Sequence, residues 1–288
     1  ELLETDGETI NLETVRLLYD NCTSGTISGK ITDSVTGDDM SGVSLSYTIG
    51  LNKFSGFSDF GETDTNGDWS KSMSEGWYTI KANKSGYYKG YNNVFACGDQ
   101  SGQDNALRKK LNEGEMSIML IWPKTKPVTA VDLDAHISIP NTAGNGTFHL
   151  YYDDDTGGTG LGGDYYVYGA GDNVTLDWDA DNTTARPSPP GHETYTITKV
   201  RSGTYSFSVH NITDKDNDTT NFKTNLAQSR AKVKVFYNNE GTLVRKRFHV
   251  PNANGTLWRV FTFDSSGSGS GFTTVQEMIY EDSVSDIY

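Results

Sequence analysis

The 288-residue chain has no apolar run of about 18 residues, so no segment reads as a membrane-spanning helix. Basic residues are short. Lys and Arg number 24 against 38 Asp and Glu, a formal charge of −14. That balance argues against nucleic acid and anionic membrane surfaces as partners, because both reward Lys and Arg. Cysteine is nearly missing. Cys22 and Cys97 stand alone, and neither has a second Cys or a His at ligand spacing, which speaks against a metal or redox role for them. Catalytic signatures are missing too: there is no Gly-x-Ser-x-Gly, no His-Glu-x-x-His and no phosphate-cradling glycine loop. The expectation is a protein that is not an enzyme.

One absence has a shape. Between Pro127 and Ala185 there are ten Asp and not one Lys or Arg. Asp132-Leu133-Asp134-Ala135-His136 and Asp177-Trp178-Asp179-Ala180-Asp181 dominate the stretch, with Asp153-Asp154-Asp155 between them. Carboxylates without internal counter-charge repel. They need a cation, or water and wide spacing, to coexist in a fold. Alternating Asp puts carboxylates on one side of a strand or turn, and oxygen donors suit Ca²⁺. Asp132, Asp134, Asp177, Asp179, Asp181 and Glu193 are the candidate metal ligands, calcium being the cofactor in view. The competing reading is a set of solvated turn residues, since the spacing is not that of an EF-hand.

What the chain does contain is β-sheet composition. Gly numbers 31 and Tyr 16, aromatic residues make up 11%, and Thr and Val recur between Gly and Asn turns. Residues 1–22 stand apart. Ile10, Leu12, Val15 and Leu17 alternate with one slip, the pattern of a strand with a bulge, a helix being the alternative. Such a segment needs a cover. It packs on its own domain, ends a preceding one, or is donated as a strand to a neighbouring molecule. A chain opening on Glu1 reads as a processed form or a fragment.

Residues 23–112 form the first domain. Val43, Leu45, Tyr47 and Ile49 alternate strictly, Asn66-Gly67-Asp68 reads as a tight turn, and Trp77 to Ala82 reads as a further strand. About seven short strands in this length predict a β-sandwich. Ser28-Gly29-Lys30-Ile31-Thr32-Asp33, Gly42-Val43-Ser44-Leu45, Thr63 to Trp69 and Gly76 to Ile80 with Lys84-Ser85-Gly86-Tyr87 resemble the carboxypeptidase regulatory-like, transthyretin-like repeat. The resemblance implies a seven-stranded accessory sandwich, not a catalyst. In an oxidising compartment Cys22 and Cys97 would close a loop of about 75 residues and contribute roughly 4 kcal/mol.

Residues 113–266 form a second, larger domain that starts on Met116 to Trp122. About ten strands again predict a sandwich, so the fold class is all-β with two tandem sandwiches. Asp132 to His136, Phe148 to Tyr152, Glu193 to Ile197, Gly203-Thr204-Tyr205 with Val209-His210, Ala231 to Val235 and Trp258 to Phe261 resemble an uncharacterised β-domain family of bacterial surface and secreted proteins. That family often follows a transthyretin-like repeat. The resemblance implies an extracytoplasmic domain of no established activity. Pro190-Gly191-His192-Glu193 departs from its usual Gly-Pro-Glu. Residues 267–288 read as a Ser/Gly linker and C-terminal tail whose apolar residues are too few for a core, so the tail adds a strand to its own domain or docks on a neighbour.

Eight Asn-x-Ser/Thr sequons occur, where chance gives about four. Asn145, Asn173, Asn182, Asn211, Asn217 and Asn254 of the second domain are glycosylation candidates. All five His (136, 149, 192, 210 and 249) lie there as well, and those inside alternating strands read as satisfied, partly buried side chains. Tyr151-Tyr152, Tyr165-Tyr166 and Tyr168 near the acidic loops could form platforms for a glycan, though in sheet proteins Tyr more often fills cross-strand pairs. The expected function is an extracellular structural protein, a fibre subunit or stalk whose partner is its own next copy through strand addition. The alternative is a calcium-dependent carbohydrate-binding or adhesin module.

Overall fold

The computed structural model describes residues 22–122, 132–152, 165–179, 191–214, 225–266 and 271–287. The chain divides into two compact units, Glu1–Lys110 and Leu111–Tyr288, close to the boundary expected after Asn112. Ile10, Leu12, Val15 and Leu17, the proposed donor positions, lie outside the described residues.

The first unit is a sandwich of two sheets. Strands β1 (Gly25–Asp33), β4 (Asp68–Met73) and β7 (Asn105–Leu107) form one, in the order β4-β1-β7. Strands β2 (Ser44–Ile49), β3 (Ser58–Glu62), β5 (Gly76–Asn83) and β6 (Gly90–Ala96) form the other, in the order β3-β2-β5-β6. The alternation read in β2 holds for Val43 and Leu45, which are buried, and ends at Ile49, which is 75% exposed. Ile27, Ile31 and Trp69 of the first sheet meet Leu45, Ile80 and Val94 of the second in one core. Cys22 precedes β1 and Cys97 follows β6, and they are joined by a disulfide, so the bridge ties the two sheets.

The second unit is also a sandwich. One sheet runs β10-β9-β14-β17-β18, built from β9 (Leu133–Pro140), β10 (Thr147–Leu150), β14 (Thr204–Asn211), β17 (Leu257–Asp264) and β18 (Gly271–Ile279). The other runs β11-β12-β13-β8-β15-β16, built from β8 (Met116–Trp122), β11 (Tyr165–Gly169), β12 (Asp172–Trp178), β13 (Gly191–Ile197), β15 (Lys232–Asn239) and β16 (Thr242–His249). Leu133, Ala135, Ile137 and Ile139 of β9 face Ile118, Leu120 and Trp122 of β8 and Tyr195 and Ile197 of β13 across the core. The period of two decides this: the same face of each strand supplies every second residue. Among the described residues no helix is long and apolar enough to cross a membrane.

One alternative for the C-terminal tail is decided. Residues 271–279 of the supposed tail are β18, paired antiparallel with β17 from Leu257↔Ile279 to Asp264↔Gly271. Phe272 stacks on Phe263 with ring centroids 4.5 Å apart, and Trp258 Nε1 donates to Gln276 Oε1 at 2.9 Å. An edge strand buries only part of one face, so few apolar residues suffice. Polar residues at 273–274 and 276–277 hide its period from a sequence reading.

Candidate functional site

Glu193 lies on β13, facing inward like Tyr195 and Ile197 two and four residues on. It is 1% exposed. Its Oε2 accepts a hydrogen bond from the Ala135 amide of β9 at 2.6 Å, so a side chain of one sheet holds the backbone of the other. Tyr195 repeats the link: its hydroxyl donates to Ala135 O at 2.9 Å and to Leu150 O at 3.1 Å. Gly191 lets β13 sit close to β8. A Cβ there would come within 2.1 Å of the Trp122 indole, so packing requires the glycine.

Two further carboxylates join Glu193. Asp134 comes from β9 and Asp179 follows β12, and one ligand oxygen from each of the three lies within 4.8 Å of the others. All three residues are buried. At that separation each ionised pair repels by about 3–4 kcal/mol at an effective dielectric near 20. Three such pairs approach the ~5–15 kcal/mol that holds a domain together. Three bare charges here at neutral pH would therefore cost most of a domain's stability. Consistent with this, the Glu193 carboxyl is pushed well above the usual range, first by burial, then by Asp179 and Asp134, with the Ala135 amide pulling the other way.

The expected metal set is only partly assembled. Asp134, Asp179 and Glu193 converge, while Asp132 and Asp177 stand outside the group, and Asp181 lies outside the described residues. The cause of the split between Asp177 and Asp179 is a register shift. Leu176 pairs with Tyr195 but Trp178 pairs with Thr194, so β12 carries one extra residue at Asp177. Asp177 accepts a hydrogen bond from Thr196, on the face away from the core, and Trp178 stacks on His192 at 5.6 Å. Strict alternation would keep Asp177 and Asp179 together; the bulge separates them. Asp132 sits before β9, where its amide donates to Thr213 Oγ1 at 2.7 Å.

A second constellation was not foreseen as one. His136 of β9, His149 of β10 and His210 of β14 lie on the face of their sheet that turns away from the core, with Tyr151 beside them. His136 Nδ1 and His149 Nε2 are 3.0 Å apart, and the His136 ring stacks on His149 and on Tyr151, both at 5.1 Å. His210 Nε2 donates to Glu281 O at 2.8 Å, fastening the segment after β18. Burial pushes His149 down to about 4, and burial, His149 and His210 together hold His136 well below its ordinary value. These are neutral rings that hold strands together, and none joins the carboxylate group.

Among the glycosylation candidates, Asn145 and Asn254 are exposed and Asn173 is half-buried. Asn211 is corrected: it is fully buried in β14, leaving no room for a glycan on the folded chain. Asn182 and Asn217 lie outside the described residues.

No family model matches the chain, so the transthyretin-like repeat and the bacterial β-domain family stand as resemblances of motif. No curated protein matches it either. Among solved structures, the chain is similar to SAV2460, a protein of unknown function, at 14% identity and TM-score 0.35, over 59% of this chain and 91% of that one. It is similar to a DUF3823 family protein from Parabacteroides merdae at 9% identity and TM-score 0.23, over 80% of this chain and 100% of that one. It is similar to BcpA, the major pilin subunit of Bacillus cereus, at 11% identity and TM-score 0.25, over 78% of this chain and 67% of that one. No residue role is carried over from these likenesses.

Proposed function

We propose that this chain is a structural module of an extracellular surface protein, without catalytic activity, whose protomers join head to tail by adding a strand from one copy to a sheet of the next. The observation that supports this reading is β11. It ends the six-stranded sheet, pairs only with β12 among the described residues, and leaves Tyr165 44% and Val167 54% exposed. An edge with open backbone groups and exposed apolar side chains is a template for another strand. The opposite edge, β16, carries Arg245-Lys246-Arg247, a charge run that discourages pairing. Ile10, Leu12, Val15 and Leu17 have the donor chemistry such an edge accepts. The contact is heterologous, so it need not close into a ring. The Cys22–Cys97 bridge agrees with an oxidising, extracytoplasmic setting.

Electron microscopy of the purified chain tests this. Filaments are expected, and neither the chain lacking residues 1–18 nor Val167→Lys should form them. Filaments unchanged by both alterations, or a wild-type chain that stays monomeric at every concentration, would sink the proposal.

The alternative, a carbohydrate-binding or adhesin module, is favoured by the exposed rings of Tyr152 and Tyr165. A glycan-array signal abolished by Tyr165→Ala would support it.

A further inference from the structure

Glu193 raises a question that the strand-addition reading leaves open. Its Oε2 is taken by the Ala135 amide, but its Oε1 is buried and has no hydrogen-bond partner among the described residues. Buried polar atoms are almost always partnered, so an orphaned carboxylate oxygen marks a missing group. The nearest groups are carboxyls, and only a shared proton lets one of them, Asp179, hydrogen-bond to Glu193. Asp134 and Asp179 bring further carboxylate oxygens to within 4.8 Å, and ionised carboxylates only accept. What all three can share is a positive ion.

We propose that Asp134, Asp179 and Glu193 bind one hard divalent cation, best fitted by Ca²⁺, and that this ion clips the two sheets of the second sandwich together. The donors are all oxygen, which selects hard cations over zinc or copper. One Ca²⁺ ion, with bonds of about 2.3–2.6 Å, can bridge oxygens that lie within 4.8 Å of one another, whereas Mg²⁺ demands near-ideal octahedral geometry and keeps several of its waters. Ca²⁺ also accepts irregular geometry and two-oxygen carboxylates, so three side chains can fill much of its shell, with water or carbonyls completing it.

The ligands come from both sheets. Asp134 belongs to β9, whereas Glu193 belongs to β13 and Asp179 follows β12. An ion here therefore closes a contact that the Glu193–Ala135 hydrogen bond already begins. The three histidines nearby in sequence or strand are not donors, since none joins the oxygen group. The clip does not depend on filament formation and would operate in an isolated protomer.

The test uses the full chain, freed of metal with EDTA and returned to neutral buffer. Calorimetric titration with CaCl₂ should give one site per chain. Thermal unfolding should shift upward by about 5–10 °C when free Ca²⁺ exceeds its Kd about a hundredfold. Terbium luminescence excited through Trp178, the residue before Asp179, reports occupancy directly. Glu193→Gln should abolish binding and the shift while the EDTA-treated variant melts no lower than EDTA-treated wild type, because it keeps an acceptor for Ala135 and loses a repelling charge. Asp179→Asn serves the same purpose if Glu193→Gln fails to fold. Absence of heat and of any thermal shift at millimolar Ca²⁺ would overturn the proposal in favour of a shared proton. A Glu193→Gln protein that still binds would overturn the assignment of the site. A Mg²⁺ response as large as the Ca²⁺ response would overturn the choice of ion.

Discussion

The Ala135 amide donates to Glu193 Oε2 at 2.6 Å while the Ala135 carbonyl accepts from Tyr195 at 2.9 Å. Both backbone polar groups of one β9 residue are thus held by side chains from the opposite sheet. This polar bracket adds direction to the apolar contact between the two sheets. Tyr195→Phe deletes the hydroxyl that serves Ala135 and Leu150 and leaves the ring in place. Buried carbonyls without donors cost about 1–3 kcal/mol, so urea unfolding of the second unit should show a loss of that size. No loss would mean that the bracket contributes nothing.

Glu193 should make the metal-free protein less stable as pH rises. Its folded pKa is raised above the ordinary 4.5 by burial, Asp179 and Asp134, so the native state holds a proton that the unfolded state releases. The contribution is complete below about 4.5 and is lost as pH climbs through the folded value. Melting curves in EDTA, wild type against Glu193→Gln, isolate it: the wild type should lose ground relative to the variant with rising pH. A constant difference between the two would contradict the raised carboxyl.

His149 works in the opposite direction. Its folded pKa is lowered to about 4 by burial, so the unfolded chain takes up a proton that the native chain refuses. Its stability is present above the ordinary 6.5 and is lost as pH falls toward about 4. His136 stacks against it with its Nδ1 3.0 Å from His149 Nε2, and Tyr151 lies tilted against it at 4.7 Å, so the ring is packed on both sides. His149→Gln should flatten the acid limb of the stability profile below pH 6.5, measured by denaturant unfolding across that range. An acid limb as steep as the wild type's would exclude His149 as its source.

Phe272 anchors the edge strand. It is half-buried and meets Phe263 at 4.5 Å and Phe261 at 5.3 Å between ring centroids. A fully buried Phe→Ala change costs about 3–5 kcal/mol, so Phe272→Ala should cost about 2 kcal/mol. Amide hydrogen exchange should also quicken across residues 271–279. If exchange there stays slow, the strand is held by its ladder rather than by its ring.

Most of the strand set was legible. Val43 and Leu45, or Leu133, Ala135, Ile137 and Ile139, alternate in sequence as they do in space, because the period of two is a local property of extended backbone. β18 was legible only as one option for the tail, because an edge strand half-covered on one side keeps too few apolar positions to announce a period. The acidic residues were legible as a group in need of charge compensation. Which of them met was not: a one-residue bulge in β12 turns Asp179 inward and leaves Asp177 with Thr196. The histidine cluster escaped for a related reason. His136, His149 and His210 become neighbours only through the registers of β9 with β10 and with β14.

Composition and patterning by themselves determined the all-β class and the acidic, cysteine-poor character, since each follows from residue type or from spacing of a few positions. The tertiary structure alone decided that Glu193 crosses the core to Ala135 and that Asp134 and Asp179 join it. Those contacts span residues far apart in the chain. They depend on strand order and register, which no local spacing encodes.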